Sequence, residues 1–341
     1  MGGETVVVTG ASGLIAKHAI AEFLRRGYAV RGTLRDPGKA SAVAAAVVRA
    51  GADPAALTCV TADLTTDAGW REALAGADGV VHMASPFPME QPDDPEDVIA
   101  PARDGTLRVL RAATAAGVPR MVLTSSTVAV MYPAGYSADH VFSESDFTDE
   151  NTPGLTPYIR SKTIAEKSAW SFVKATPGAP ELAVINPGFV QGPTLDDDLS
   201  TSHALYLLMA RGIYPAAPRI RFPVCDVRDV AIAHALALAN PQSAGQRFIV
   251  ANGETGLYPL GQALARECPD LARKVPKFEL PDAAVRGLAV FDKRLRTILP
   301  ELGRAKNYTS ARAADVLGLR PRPAEDAIRD AIVSLRNLGL I

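Results

Sequence analysis

Little in this chain marks it for the cell exterior, a membrane or a polyanion. Its three cysteines, Cys59, Cys225 and Cys268, are odd in number and far apart. That argues against a disulfide framework and fits a reducing, cytoplasmic compartment. None has a Cys or His at metal-ligand spacing, and the five histidines show no such spacing, so no metal is expected. Neither sign of charge dominates: the net charge is -1 over 341 residues, which leaves no basic surface for nucleic acid or anionic membrane. Apolar runs are broken by charge or proline well short of the ~18 residues of a membrane span. The amino terminus passes straight into β-formers without the basic region of a secretory signal, so the glycosylation-like Asn307-Tyr308-Thr309 carries no weight. Repeats, low-complexity tails and Gly/Ser linkers are absent. What remains, at 48% hydrophobic and 21% charged, is a globular chain with ample material for a core.

The first half alternates strands and helices. Strands are predicted over residues 4–9, 28–34, 57–61, 79–83, 121–124 and 182–185, and helices over 14–26, 39–50, 68–75, 95–116 and 157–175. This order implies parallel pairing with right-handed crossovers. Runs such as Val6-Val7-Val8 suit strands covered on both faces. Beyond Asn186 prolines multiply, and short helices are predicted over 199–211, 229–240, 260–267, 282–288 and 324–338, with one strand over 246–250. The expected fold is α/β: a doubly wound, Rossmann-type parallel sheet over residues 1–186, carrying cofactor and catalytic groups. A smaller, mostly helical substrate lobe over 187–341 is interleaved with it and covers the carboxyl edges of the strands, where such folds bind ligands.

Residues 5–16, TVVVTGASGLIA, are the most informative stretch. Gly10 permits a tight turn, Gly13 lets the backbone approach a phosphate, and the small Ala16 lets helix pack on strand. Such a turn aims backbone N–H groups and a helix N-terminus at a pyrophosphate. A tight turn without ligand would carry the same glycines, but the position after four β-formers and before a helical pattern favours a dinucleotide. Further on, Tyr158 and Lys162 lie one turn apart on one helix face. No other tyrosine has lysine four residues on. An ammonium beside a phenol favours phenolate and lowers the tyrosine pKa from its ordinary ~10, which readies Tyr158 for proton transfer; the bland alternative is a solvated helix pair. The strand over 121–124 runs into Thr124-Ser125-Ser126. A serine there polarises a carbonyl or merely caps the strand end, and the residues alone leave both open.

Together these segments resemble the extended short-chain dehydrogenase/reductase family. The resemblance rests on the glycine turn, Asp63-Leu64, His82-Met83-Ala84-Ser85, Thr124-Ser125-Ser126, Tyr158-x-x-x-Lys162, Asn186-Pro187-Gly188-Phe189-Val190-x-Gly192-Pro193 and Val227-Arg228-Asp229-Val230-Ala231. Thr33-Leu34-Arg35-Asp36-Pro37 and the region from Leu299-Pro300-Glu301-Leu302 to Leu317-Gly318 look like the dihydroflavonol reductase, cinnamoyl-CoA reductase and NADPH-dependent aldehyde/ketone reductase branch. The resemblance implies Ser126 as catalytic serine, with Ser125 as fallback, Tyr158 as proton donor, and Lys162 on the nicotinamide ribose. Cofactor contacts are implied at Gly10, Ser12, Gly13, Leu14, Ile15, Arg35, Lys39, Asp63, Leu64, Met83, Ala84, Ser85, Thr124, Pro187 and Val190. Ser202 is expected at the phosphates across a variable loop.

Strand two ends in Leu34-Arg35 where NAD readers place a carboxylate. The Arg35 fork and the Lys39 ammonium match the 2′-phosphate of NADP(H). Asp36 could instead turn inward to the ribose, and the two cations could be a solvated helix entry. Asp63 is expected at the adenine amino group beside the Leu64 backbone, or else as a helix cap.

The preferred function is NADPH-dependent reduction of an aldehyde or ketone, and the reverse oxidation, by a monomer or homodimer; the helices over 95–116 and 157–175 could form a dimer seam or face solvent. Candidate walls for a moderately apolar substrate are Phe87, Pro88, Met89, Val128, Met131, Tyr132, Phe189, Tyr206 and Met209, any of which could be core instead. One rival is an NAD-dependent nucleotide-sugar epimerase or dehydratase using Arg211, Arg219 and Arg221 for a diphosphate. The other is a non-catalytic NADP-sensing regulator. Asp196-Asp197-Asp198 reads as a solvated loop, Asp93, Asp94, Glu96 and Asp97 as favouring a helix N-terminus, and His82 as cofactor wall.

Overall fold

The computed structural model describes residues 3–85, 94–137, 139–291, 295 and 298–341. Phe87, Pro88, Met89 and Asp93 lie outside the described residues.

Seven parallel strands form the central sheet: β1 Thr5–Val8, β2 Ala29–Leu34, β3 Leu57–Thr61, β4 Gly79–His82, β5 Arg120–Thr124, β6 Glu181–Pro187 and β10 Arg247–Val250, in the order β10-β6-β5-β4-β1-β2-β3. The period-2 pattern of the strands explains the two layers. Val6 and Val8 face α1 (Leu14–Arg25), α2 (Ala40–Arg49) and α7 (Val227–Ala239). Val7 faces α3 (Trp70–Leu74), α4 (Glu96–Ala115) and α5 (Pro157–Ala175). Val81, Val122 and Ile185 repeat the first face, and Val80, Met121, Leu123 and Val184 the second. Each valine or leucine so buried contributes roughly 1.5–3 kcal/mol. The α/β, doubly wound class expected from the sequence is the one observed.

The chain order past residue 186 adds detail that periodicity missed. Helix α7 and strand β10 return to the main layers, and β10 pairs with β6 from Arg247↔Val184 to Val250↔Pro187. A three-stranded sheet joins β7 (Phe189–Gln191), β9 (Phe222–Asp226) and β11 (Glu254–Thr255), and a two-stranded one joins β8 (Ala217–Pro218) and β12 (Glu279–Leu280). The helix Ala311–Leu317 was not predicted either. The remaining lobe packs α6 (Thr201–Ala210), α8 (Leu257–Glu267) and the helix Ala324–Asn337 around Tyr206, Met209, Leu260, Leu264, Ile332 and Leu335. Among the described residues no helix is long and apolar enough to cross a membrane.

Candidate active site

Strand order reverses at β1, whose neighbours are β2 and β4, and a crevice opens there outside the carboxyl ends of the strands. Gly10 holds φ +69, and a Cβ on it would lie 3.0 Å from the Ala84 Cα; only glycine fits the turn. Its N–H donates to Thr33 Oγ1 at 3.1 Å. Gly13 is exposed and N-caps α1, which has no side-chain cap. Ala16 is buried against the sheet. The first-turn N–H groups therefore remain free of side-chain partners, as an anion cradle requires. Ser12 and Ile15 are half-buried and Leu14 is buried.

Arg35 and Lys39 are both exposed at the end of β2. Asp36 does not turn inward: its Oδ1 accepts the Gly38 N–H at 2.8 Å and caps the turn. Lys39 Nζ donates to Asp198 at 2.9 Å. Asp63 caps its own turn, accepting Thr65 N–H at 2.8 Å and Thr65 Oγ1–H at 2.9 Å, which holds its carboxyl below the usual range. Leu64 is half-buried beside it. A cavity of about 590 Å³ opens between Ser12, Lys17, Lys39, Arg49 and Asp196–Asp198. The acidic loop is not simply solvated, as the sequence suggested, because Asp196 forms a 2.6 Å ion pair with Lys17, whose side chain is only 2% exposed. An uncapped helix start flanked by two exposed cations fits a dinucleotide bearing an extra phosphate.

Met83, Ala84 and Ser85 follow β4 and are half-buried. Thr9 Oγ1 accepts the Met83 and Ala84 N–H groups, each at 3.0 Å, so its proton goes to His82 Nδ1 at 2.8 Å. His82 is fully enclosed, and burial with Lys162 nearby lowers its pKa to about 3.

Thr156 caps α5 and Pro157 opens it, which places Tyr158 in the first turn. Ser126 Oγ accepts the Val128 N–H at 3.3 Å and hydrogen-bonds the Tyr158 phenol. Burial raises Tyr158 above its usual value, and the Ser126 bond offsets this in part. The expectation that Lys162 lowers it is not met, because burial outweighs any favourable charge. Lys162 is itself lowered to about 8 by enclosure of its ammonium. Ser125 points the other way, donating to Glu166 Oε2 at 2.5 Å. The Thr124 hydroxyl donates to His234 Nε2 at 2.7 Å, since His234 Nδ1 donates to Val230 O; its oxygen can then only accept.

Pro187 is buried at the end of β6, and Val190 is half-buried on β7. Ser202 is the second residue of α6, whose cap is Ser200. Val128 and Phe189 are half-buried, and Phe189 stacks on Phe222 at 5.1 Å. Met131, Tyr132, Tyr206 and Met209, offered as substrate walls, are core: all are at most 2% exposed, and Tyr206 OH donates to Gln191 Oε1 at 2.6 Å. Their side chains complete the packing of two clusters. Arg219 and Arg221 pair with Asp282 at 2.8 Å and Glu279 at 3.2 Å. Among the described residues no group of three His, Cys, Asp or Glu side chains could hold a metal ion.

Sequence reasoning passed over Glu166, Arg247 and the side chain of Asn186. Glu166 had a legible signal, lying one turn beyond Lys162 and two beyond Tyr158; Arg247 had none.

The family model described as the NAD dependent epimerase/dehydratase family matches residues 6–251. Cinnamoyl-CoA reductase CAD2 of Medicago truncatula is 35% identical over 301 residues, which is 84% of this chain and 91% of the relative. Ketoreductase azaE of Aspergillus niger is 31% identical over 350 residues, 97% of each chain. The structure of Gre2 from Candida albicans in complex with NADPH superposes with a TM-score of 0.80 at 27% identity, over 98% of this chain and 99% of that one.

Proposed function

The chain belongs to the NAD dependent epimerase/dehydratase family, in the dihydroflavonol reductase and cinnamoyl-CoA reductase branch of the extended short-chain dehydrogenases/reductases, and from that premise we propose that it reduces an aldehyde or ketone with NADPH and runs the reverse oxidation with NADP. The observation that carries this reading is the hydrogen bond between Ser126 and Tyr158 at the carboxyl end of β5, with Lys162 one turn along α5. The similarity to cinnamoyl-CoA reductases and a ketoreductase supports a carbonyl substrate, and the NADPH of the Candida albicans relative supports the cofactor.

When bound, the reduced nicotinamide supplies hydride to the carbonyl carbon. Ser126 donates to the carbonyl oxygen and polarises it. Tyr158 releases its proton to that oxygen as charge develops there. Lys162 would hold the ribose hydroxyls of the bound cofactor. Arg35, with Lys39 once it leaves Asp198, would hold the 2′-phosphate, while Gly10, Ser12, Gly13, Leu14, Ile15 and Ser202 would face the phosphates. Asp63 and Leu64 bound the adenine. Met83, Ala84, Ser85, the Thr124 backbone, Pro187 and Val190 wall the nicotinamide end. Val128 and Phe189, extended by Phe222, offer the substrate a moderately apolar surface. Against the nucleotide-sugar reading, two of its three arginines, Arg219 and Arg221, are already paired with carboxylates, while Arg211 caps the end of α6.

The test is consumption of NADPH against NADH over a panel of aldehydes and ketones. Turnover with NADPH preferred is expected. Tyr158→Phe should lower kcat by about 100-fold or more with NADPH binding, followed by fluorescence, kept within a few-fold. Absence of NADPH consumption across the panel, or a fully active Tyr158→Phe enzyme, overturns the reading.

A further inference from the structure

Behind the Ser126–Tyr158 pair lies a buried set of polar groups, in which Asn186 Oδ1 is left without a hydrogen-bond partner. Glu166 is 0% exposed and Arg247 5% exposed. Glu166 Oε1 accepts Arg247 Nε–H at 2.5 Å and Trp170 Nε1–H at 3.2 Å. Its other oxygen accepts the Ser125 hydroxyl at 2.5 Å and Asn186 Nδ2–H at 2.9 Å. Asn186 Nδ2 also reaches the Ser126 carbonyl at 3.2 Å. Arg247 donates to the carbonyls of Asp146 at 2.6 Å, Glu144 at 3.1 Å and Ala129 at 3.3 Å, and lies 3.7 Å over the Phe147 ring.

Four elements meet here: α5 through Glu166, the end of β5 through Ser125, β6 through Asn186, and β10 through Arg247. Tyr158, Lys162 and Glu166 share one face of α5 at four-residue spacing. The carboxylate thus ties the helix that carries the phenol to the strand end that carries the serine. We propose that Glu166, held by Arg247, is a positioning residue for the carbonyl chemistry: it fixes Ser125 and, through Asn186, the Ser126 backbone, so that the Ser126 hydroxyl meets the Tyr158 phenol. This rests on the reading of Ser126 and Tyr158 given above. Stability alone does not call for such an arrangement, since a buried ion pair is often replaceable by apolar groups without loss. A hydroxyl that must stay on a phenol within a few tenths of an ångström does call for it.

Ser125→Ala removes one hydroxyl and leaves the ion pair in place. We expect kcat for carbonyl reduction to fall 10- to 100-fold, the scale of about 1 Å of misplacement, with KM for NADPH within two-fold and the thermal midpoint little changed. The alkaline limb of the pH–rate profile should move upward, because a displaced Ser126 no longer favours the phenolate. Arg247→Lys should retain more kcat than Arg247→Met, since it keeps the charge but not the fork. Should Arg247→Met fail to fold, Ser125→Ala and Arg247→Lys still decide the matter. Wild-type kcat and an unmoved pH profile in Ser125→Ala overturn the inference, as does a loss of rate that merely tracks the folded fraction. Tyr158→Phe, assayed alongside, separates the two ideas: if it is inactive while Ser125→Ala is normal, only the positioning role falls; if it is active, the underlying reading falls.

Discussion

Adjacent serines show what one residue of register does. Ser125 and Ser126 differ by one step along an extended chain, and successive side chains take opposite sides. Ser125 faces Glu166 and the interior, and Ser126 faces Tyr158. Nothing in the sequence chose between them except the family resemblance. Lys162 makes a second point. Its folded pKa of about 8 lies below the 10.5 of the unfolded chain because its ammonium is enclosed. Below pH 8 the group is charged in both states and the full cost of enclosing it is present; the cost is relieved between pH 8 and 10.5. Lys162→Met should therefore stabilise the chain at pH 7 by roughly 1–3 kcal/mol, with activity lost and the gain shrinking by pH 10. Urea midpoints at both pH values measure this, and a variant less stable at pH 7 contradicts it.

Elements were legible where length and caps agreed. The helix predicted over 157–175 is α5 to the residue, because Thr156 and Pro157 punctuate its start. Strand β3 and the helix Asp282–Leu288 also match their predicted spans. The three-residue β7 was not legible, since it is too short for alternation to register. It exists because the chain after β6 is pulled against β9, and Gly188 is the point of closest approach: a Cβ there would lie 2.5 Å from the Pro223 carbonyl oxygen. That obstacle is backbone and cannot swing aside. Gly188→Ala should cost about 2–3 kcal/mol, read as a lowered urea midpoint with an unchanged m value. An unaltered midpoint would show that β7 and β9 part without penalty.

At the scale of the whole molecule, burial favours the neutral form of four histidines, His18, His82, His203 and His234. His18, His82 and His234 are lowered to about 4, 3 and 4, chiefly by desolvation, and His203 is lowered as well. Against 6.5 in the unfolded chain, the stability these groups contribute is complete above pH 6.5 and drains away as pH falls towards 4. The three with stated values imply a slope of up to about 4 kcal/mol per pH unit at its steepest. Denaturant midpoints at pH 7, 5.5 and 4.5 should fall accordingly, and a flat profile would mean these rings meet water in the native state. By itself the sequence determined the doubly wound sheet, the glycine turn and the Tyr158/Lys162 face, because each is written in local periodicity and short spacing. Only the tertiary structure decided that Asp196 belongs to Lys17, that β10 completes the main sheet, that Met131 and Tyr206 are core, and that Arg247 holds Glu166. Those pairings join residues tens to hundreds of positions apart, and they are set by which surfaces the packed layers bring together, a quantity no local pattern carries.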